Sequence, residues 1–117
     1  MWEYVIPCIP DSLNKYAGRK NVWEYRERKQ FWEQLVAVHC RPRPERPIER
    51  AIVTLTYHFA NRVRRDPDNY AGKMILDGLV RAGILLDDSF ANIELRLRQG
   101  RPDAANPKTV IVIEEQR

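Results

Sequence analysis

The sequence predicts one α+β domain spanning residues 1–117, with a mixed or antiparallel sheet covered by two main helices. Three observations lead there. A chain of 117 residues can enclose one real core but is short for two ordinary domains. Its apolar patterns switch between strand and helix periods in the order β-α-β-α-β-β. No repeat, low-complexity tract or linker divides them.

The first strand is "WEYVIP", Trp2 to Pro7, ended by its proline. The polar stretch "PDSLNKYAGRKN" follows as a loop. A helix is expected from about Val22 to Val38, where Phe31, Leu35 and Val38 fall at spacings of four and three, with Trp32 and Val36 beside them. "RPRPERP", Arg41 to Pro47, ends it, because each proline lacks an amide donor and pushes its predecessor toward extended geometry. The clearest strand is "AIVTLTYHF", Ala51 to Phe59, in which Val53, Leu55, Tyr57 and Phe59 alternate with Ile52, Thr54, Thr56 and His58.

The second helix carries signals at both ends: Asp66 as N-cap, Pro67 at the first helical position, and Gly83 at the C-terminal cap. Ile75, Leu79 and Ala82 form its buried stripe, and Asn69, Lys73 and Asp77 share the opposite face. "NIELRLRQG" reads as a half-solvated strand, with Ile93, Leu95 and Leu97 inward and Glu94, Arg96 and Arg98 outward. "RPDAANP" connects it to a last strand, "TVIVIEE", apolar on both faces.

Composition narrows the class. Hydrophobic residues make up 44% and charged residues 31%, the balance of a soluble globular protein. No apolar run is long enough to span a bilayer, and "MWEYVIPCIP" has no export signal, so a cytoplasmic protein away from membranes is expected. Cys8 and Cys40 read as free, buried thiols of a reducing compartment. The net charge is +4, yet from Asp66 to Asp88 five aspartates face only Lys73 and Arg81, a local charge of −3 in a frame carrying +7. An acidic centre in a basic frame suits metal chemistry on a phosphate backbone.

The chemistry candidates lie in and around "RRDPDNYAGK", Arg64 to Lys73. Asp66, Asp68, Asp87 and Asp88 form a carboxylate set, and carboxylate oxygens are the donors that Mg²⁺ or Mn²⁺ prefer. One cap satisfies a helix start, so two aspartates two residues apart leave one without a capping role; the competing reading is an exposed acidic loop with a capped helix. A helix of about sixteen residues is about 24 Å long, so the two acidic pairs meet only if the chain after Gly83 runs back along it. Lys73 is placed to contact a scissile phosphate, or else to form an i,i+4 pair with Asp77. Arg26, Arg28, Lys29, Arg41, Arg43, Arg46, Arg62, Arg96 and Arg98 supply a basic frame that would track phosphates or simply face solvent, with Asn14, Lys15 and Tyr16 as further members. His39 and His58 are isolated and read as structural.

"RRDPDN…K…DGL…AG…DD" resembles the core signature of the RusA family of Holliday-junction resolvases, small metal-dependent endodeoxyribonucleases common in phages and prophages. "PDSLNKY", Pro10 to Tyr16, is similar to that family's Pro-x-Ser-x-Asn-x-Tyr segment, and the order of elements agrees, so the likeness covers nearly the whole chain. The resemblance implies that Asp66 and Asp68 are the paired catalytic aspartates and Asp88 the third metal-binding carboxylate, with Asp87 as its alternate. It implies that Lys73 is the basic residue needed for cleavage, and that Arg64, Arg65, Asn69 and Lys15 contact DNA. It further implies a homodimer that places two sites across a four-way junction in recombination and repair, using Mg²⁺ with Mn²⁺ as a substitute. One departure stands out. The family pattern has two residues between the asparagine and the lysine, whereas Tyr70, Ala71 and Gly72 make three here. Gly72 then marks a late helix start or a one-residue bulge.

The expected activity is thus Mg²⁺-dependent, structure-selective nicking of Holliday junctions. Its rivals are a branched-DNA-binding module that does not cut, and a nuclease acting on flaps or forks.

Overall fold

The computed structural model describes residues 1–13 and 22–117. Among them the order is β1 (Trp2–Ile6), α1 (Val22–His39), β2 (Ala51–His58), a 3-10 turn (Pro67–Tyr70), α2 (Lys73–Arg81), β3 (Ile93–Gln99) and β4 (Lys108–Glu115). The four strands form one mixed sheet in the order β1-β4-β2-β3. β4 runs antiparallel to both β1 and β2, while β3 lies parallel to β2, joined to it through α2. The expected α+β class and element order hold, and the sheet is mixed.

The alternation of β2 does what the sequence asks of it. Val53, Leu55 and Tyr57 are buried, and their register partners Ile113 and Ile111 on β4 extend the same apolar face. Tyr4 and Ile6 of β1 continue it across Ile111 and Thr109. α1 and α2 cover this face with Trp32, Val36, Ile75 and Leu79, all fully buried. On the other face Ile52, Val110 and Val112 are half-buried and Val5 is 47% exposed. β4 is therefore apolar on both faces but fully buried on only one.

Two expectations about the helices need correction. The buried stripe of α1 is Trp32 and Val36, continued by Cys40 just past the helix end, whereas Phe31 and Val38 are exposed. Both stripes have helical spacing, and contact with α2 and β1 selects the first. The second helix is not continuous from Asp66. A 3-10 turn ends at Tyr70, Gly72 adopts φ 78°, and α2 begins at Lys73. Asn69 consequently does not share a helix with Lys73 and Asp77.

Gly72 is required twice over. Its left-handed backbone favours glycine, and an added Cβ would clash with Leu55 Cδ1. At the other end, Gly83 (φ 78°) closes α2 as expected: its N–H donates to the Val80 carbonyl, and the Ile84 N–H donates to the Leu79 carbonyl. The chain then turns back. Ile48 pairs in parallel with Leu85, through Ile48 N–H to Ile84 O (2.9 Å) and Leu86 N–H to Ile48 O (2.9 Å). This tie aims the Asp87–Asp88 segment at the start of α2.

Cys8 and Cys40 are both free thiols, and burial pushes the Cys40 thiol up to about 12. Among the described residues no helix is long and apolar enough to cross a membrane.

Candidate active site

Asp66 ends the extended segment after β2, with φ −97° and ψ 136°. It occupies the cap position of the 3-10 turn, yet its side chain makes no capping hydrogen bond. The turn closes through the backbone instead, with Asn69 N–H donating to Asp66 O at 3.1 Å. The carboxylate, about half exposed, faces Arg64 Nη2 at 3.4 Å. Asp68 is exposed within the turn. Neither carboxylate is consumed in capping, which removes the plainest structural account of the pair.

The turn is held from below. The buried Tyr57 hydroxyl donates to Tyr70 O at 2.7 Å, and burial raises its pKa. Tyr57, Phe59 and Tyr70 cluster with ring centroids 5.1 to 5.8 Å apart.

Lys73, the first residue of α2, donates to Asp77 Oδ1 at 2.8 Å and lies 3.6 Å from Asp88 Oδ2. The hydrogen bond to Asp77, reinforced by the charges of Asp77 and Asp88, holds its ammonium above the ordinary lysine value. The chain after Gly83 does run back along the helix, as the meeting of the acidic segments requires. α2 has nine residues, about 13.5 Å, so the return is short. The structure also separates the adjacent aspartates. Asp87 Oδ1 accepts from the Asp88 amide at 2.8 Å and so fixes the turn, leaving Asp88 to reach Lys73.

Asp66, Asp68 and Asp88 are not gathered around one point: among the described residues no three His, Cys, Asp or Glu side chains form a group that could hold a metal ion. The donor chemistry nevertheless fits a hard divalent cation, since the set offers only carboxylate oxygens and Asp66 and Asp68 are not committed to caps.

The arginines divide by role. Arg65 folds its guanidinium over the Phe59 ring at 4.1 Å and donates to Asn61 O, Val63 O and Asn61 Oδ1, so it braces the loop leading to Asp66. Arg64, its side chain 90% exposed, remains open to a phosphate. Arg41 and Arg43 donate to carbonyls at the helix ends, with Arg43 bridging Ala37 O and Ala82 O. Arg96 pairs with Glu94, and Arg28 with Asp11. Arg62 and Arg98 are exposed on the rim near Gln99. Asn69 is half-buried and lines a small depression with Pro10, Asp11, Gly72 and Lys73. Lys15, with Asn14 and Tyr16, lies outside the described residues. His58 Nδ1 sits 2.9 Å from Arg101 O, a structural contact as expected.

Two residues named in the sequence for other reasons meet here. Asp77 is the nearest anion to Lys73, as the four-residue spacing predicts, and Lys29 Nζ lies 3.8 Å from Asp77 Oδ2. Lys29 belongs to the expected basic frame, but nothing local in the sequence places it beside Asp77. No family model matches the chain, and no curated protein matches it.

Proposed function

We propose that this chain is a Mg²⁺-dependent endonuclease that nicks branched DNA, with the four-way junction as its substrate. The observation that carries the reading is the approach of Asp88 to Lys73. It brings the later acidic pair back to the end of α2 that the Asp66–Asp68 turn leads into.

Asp66, Asp68 and Asp88 would hold the cation, with Mn²⁺ able to substitute. Such an ion offsets charge on a departing 3′ oxygen and lowers the pKa of water. The protein's own groups do the rest. Lys73, kept protonated by its carboxylate neighbours, offers a fixed positive charge to a phosphate oxygen. Arg64 and Arg98 neutralise flanking phosphates and make binding salt-dependent. Arg65 keeps the Asp66 loop in place. A homodimer would supply two such sites for paired, symmetric nicks.

The ion pairs of Lys73 favour a second reading. An ammonium already shared by Asp77 and Asp88 also suits a module that binds branched DNA without cutting it.

Incubating a labelled synthetic four-way junction and a matched linear duplex with Mg²⁺, then with EDTA, separates the two. Nicks in the junction alone that vanish in EDTA support the nuclease. Tight junction binding with no cut in any metal supports the module. Equal cutting of flaps or forks would broaden the substrate.

A further inference from the structure

Beside Asp66 lies a cleft whose aromatic wall the proposed chemistry does not use. Tyr57, Phe59 and Tyr70 form its aromatic wall, and Arg65, Arg98 and Gln99 its polar edge. Tyr57 and Phe59 are buried, so the planar surfaces within reach of solvent are those of Tyr70 and Arg65, both half-buried. Arg65 is held over Phe59, its guanidinium carbon 4.1 Å from the ring centroid, and is fixed there by three hydrogen bonds. The cleft has a volume of about 60 Å³. A closed apolar cavity of about 150 Å³ holds a benzene. An open cleft of this size therefore admits part of one planar ring and leaves its substituents outside.

A second, wider depression of about 480 Å³ adjoins it and shares Gln99. Arg62 and Arg101, both exposed, line that depression, and Arg98 stands at the cleft edge. Aromatic and guanidinium planes in a slot, with arginines spaced along an adjoining groove, match the two faces of a single nucleic-acid strand. Bases stack on such planes whatever their identity, and phosphates pair with the flanking cations.

We propose that the cleft receives one unstacked nucleobase of a DNA strand whose phosphates lie along the Arg62–Arg101 depression. The base sits against Tyr70 and Arg65, with the Gln99 amide available to its edge. Its sugar and phosphates remain outside, next to the loop that carries Asp66. This deepens the proposed function and rests on its premise that DNA is the ligand. It adds that the protein holds a base out of the stack close to the acidic residues, which a branch point with open base pairs permits more readily than a duplex.

The test uses the full chain in EDTA, so that binding is read without cleavage. Wild type, Tyr70→Leu and Gln99→Ala are titrated into a short single strand carrying one 2-aminopurine, and into a four-way junction carrying one at its branch point. Thermal unfolding midpoints check that the variants fold. Gln99 is exposed and takes no part in the proposed phosphate contacts, so its variant keeps the test valid if Tyr70→Leu does not fold. The expected result is quenching of 2-aminopurine on binding, with single-strand affinity at least about fivefold weaker in each folded variant. Binding to either DNA without quenching, or with variants equal to wild type, overturns the base cleft and leaves the nuclease reading standing. Junction binding with no single-strand binding does the same. Failure to bind either DNA overturns both.

Discussion

Asp88 Oδ2 lies 3.6 Å from Lys73 Nζ, at the first residue of α2. The contact depends on three backbone features: the left-handed Gly72, the Gly83 turn that reverses the chain, and the Ile48–Leu85 bridge that aims the return. Disturbing any of them should shift the site before it unfolds the sheet.

Gly72→Ala tests the first feature. The alanine must adopt φ near 78° and press its Cβ into Leu55 Cδ1. Left-handed strain and overpacking together predict a loss of about 2–4 kcal/mol. Urea denaturation should show the midpoint falling well below that of wild type, whereas a midpoint equal to wild type would mean that Gly72 is not under this constraint.

Tyr57→Phe tests the support under the 3-10 turn. Removing the hydroxyl leaves Tyr70 O without its 2.7 Å donor in a partly buried place. A loss of about 1–2 kcal/mol is expected. Amide exchange near Tyr70 should quicken more than in β4, and uniform quickening would argue against a local role.

The Lys73 cluster makes a prediction about alkaline pH. Its pKa is raised on folding, so the stabilisation is complete below the unfolded value of 10.5 and is lost as pH rises through the higher folded value. Lys73 is 54% exposed, so water screens the pair and the effect is small, at most about 1 kcal/mol. Unfolding of wild type and Asp77→Asn should therefore show a constant difference through neutral pH and converge only above pH 10.5. Convergence near neutrality would contradict the ion pair.

Much of the fold could be read from periodicity, and the failures have physical causes. β2 and β3 alternate cleanly because each has a drier and a wetter face, the drier one buried in β2 and half-buried in β3. α1 has two adjacent apolar stripes, and only packing against α2 decides that Trp32 and Val36 go inward while Val38 stays out. Asp66 and Pro67 do start a helical turn, but Gly72 in its left-handed conformation breaks it, and a glycine inside the expected helix is the local sign of that break. Asp87 and Asp88 are alike in sequence. They differ in space because one carboxylate is spent on the amide that follows it. Arg65 looked like a phosphate contact, and only coordinates could reveal Phe59 beneath its guanidinium.

If the exposed carboxylates serve chemistry rather than folding, Asp68→Asn should separate cutting from both binding and stability. Asp68 is exposed in the 3-10 turn, so its replacement should alter stability by no more than about 0.5 kcal/mol. Nicking and binding of a labelled four-way junction would be measured in Mg²⁺ for wild type and variant side by side. The variant should bind the junction about as tightly as wild type and make no nicks. Nicking at the wild-type rate, or loss of binding together with nicking, would contradict it.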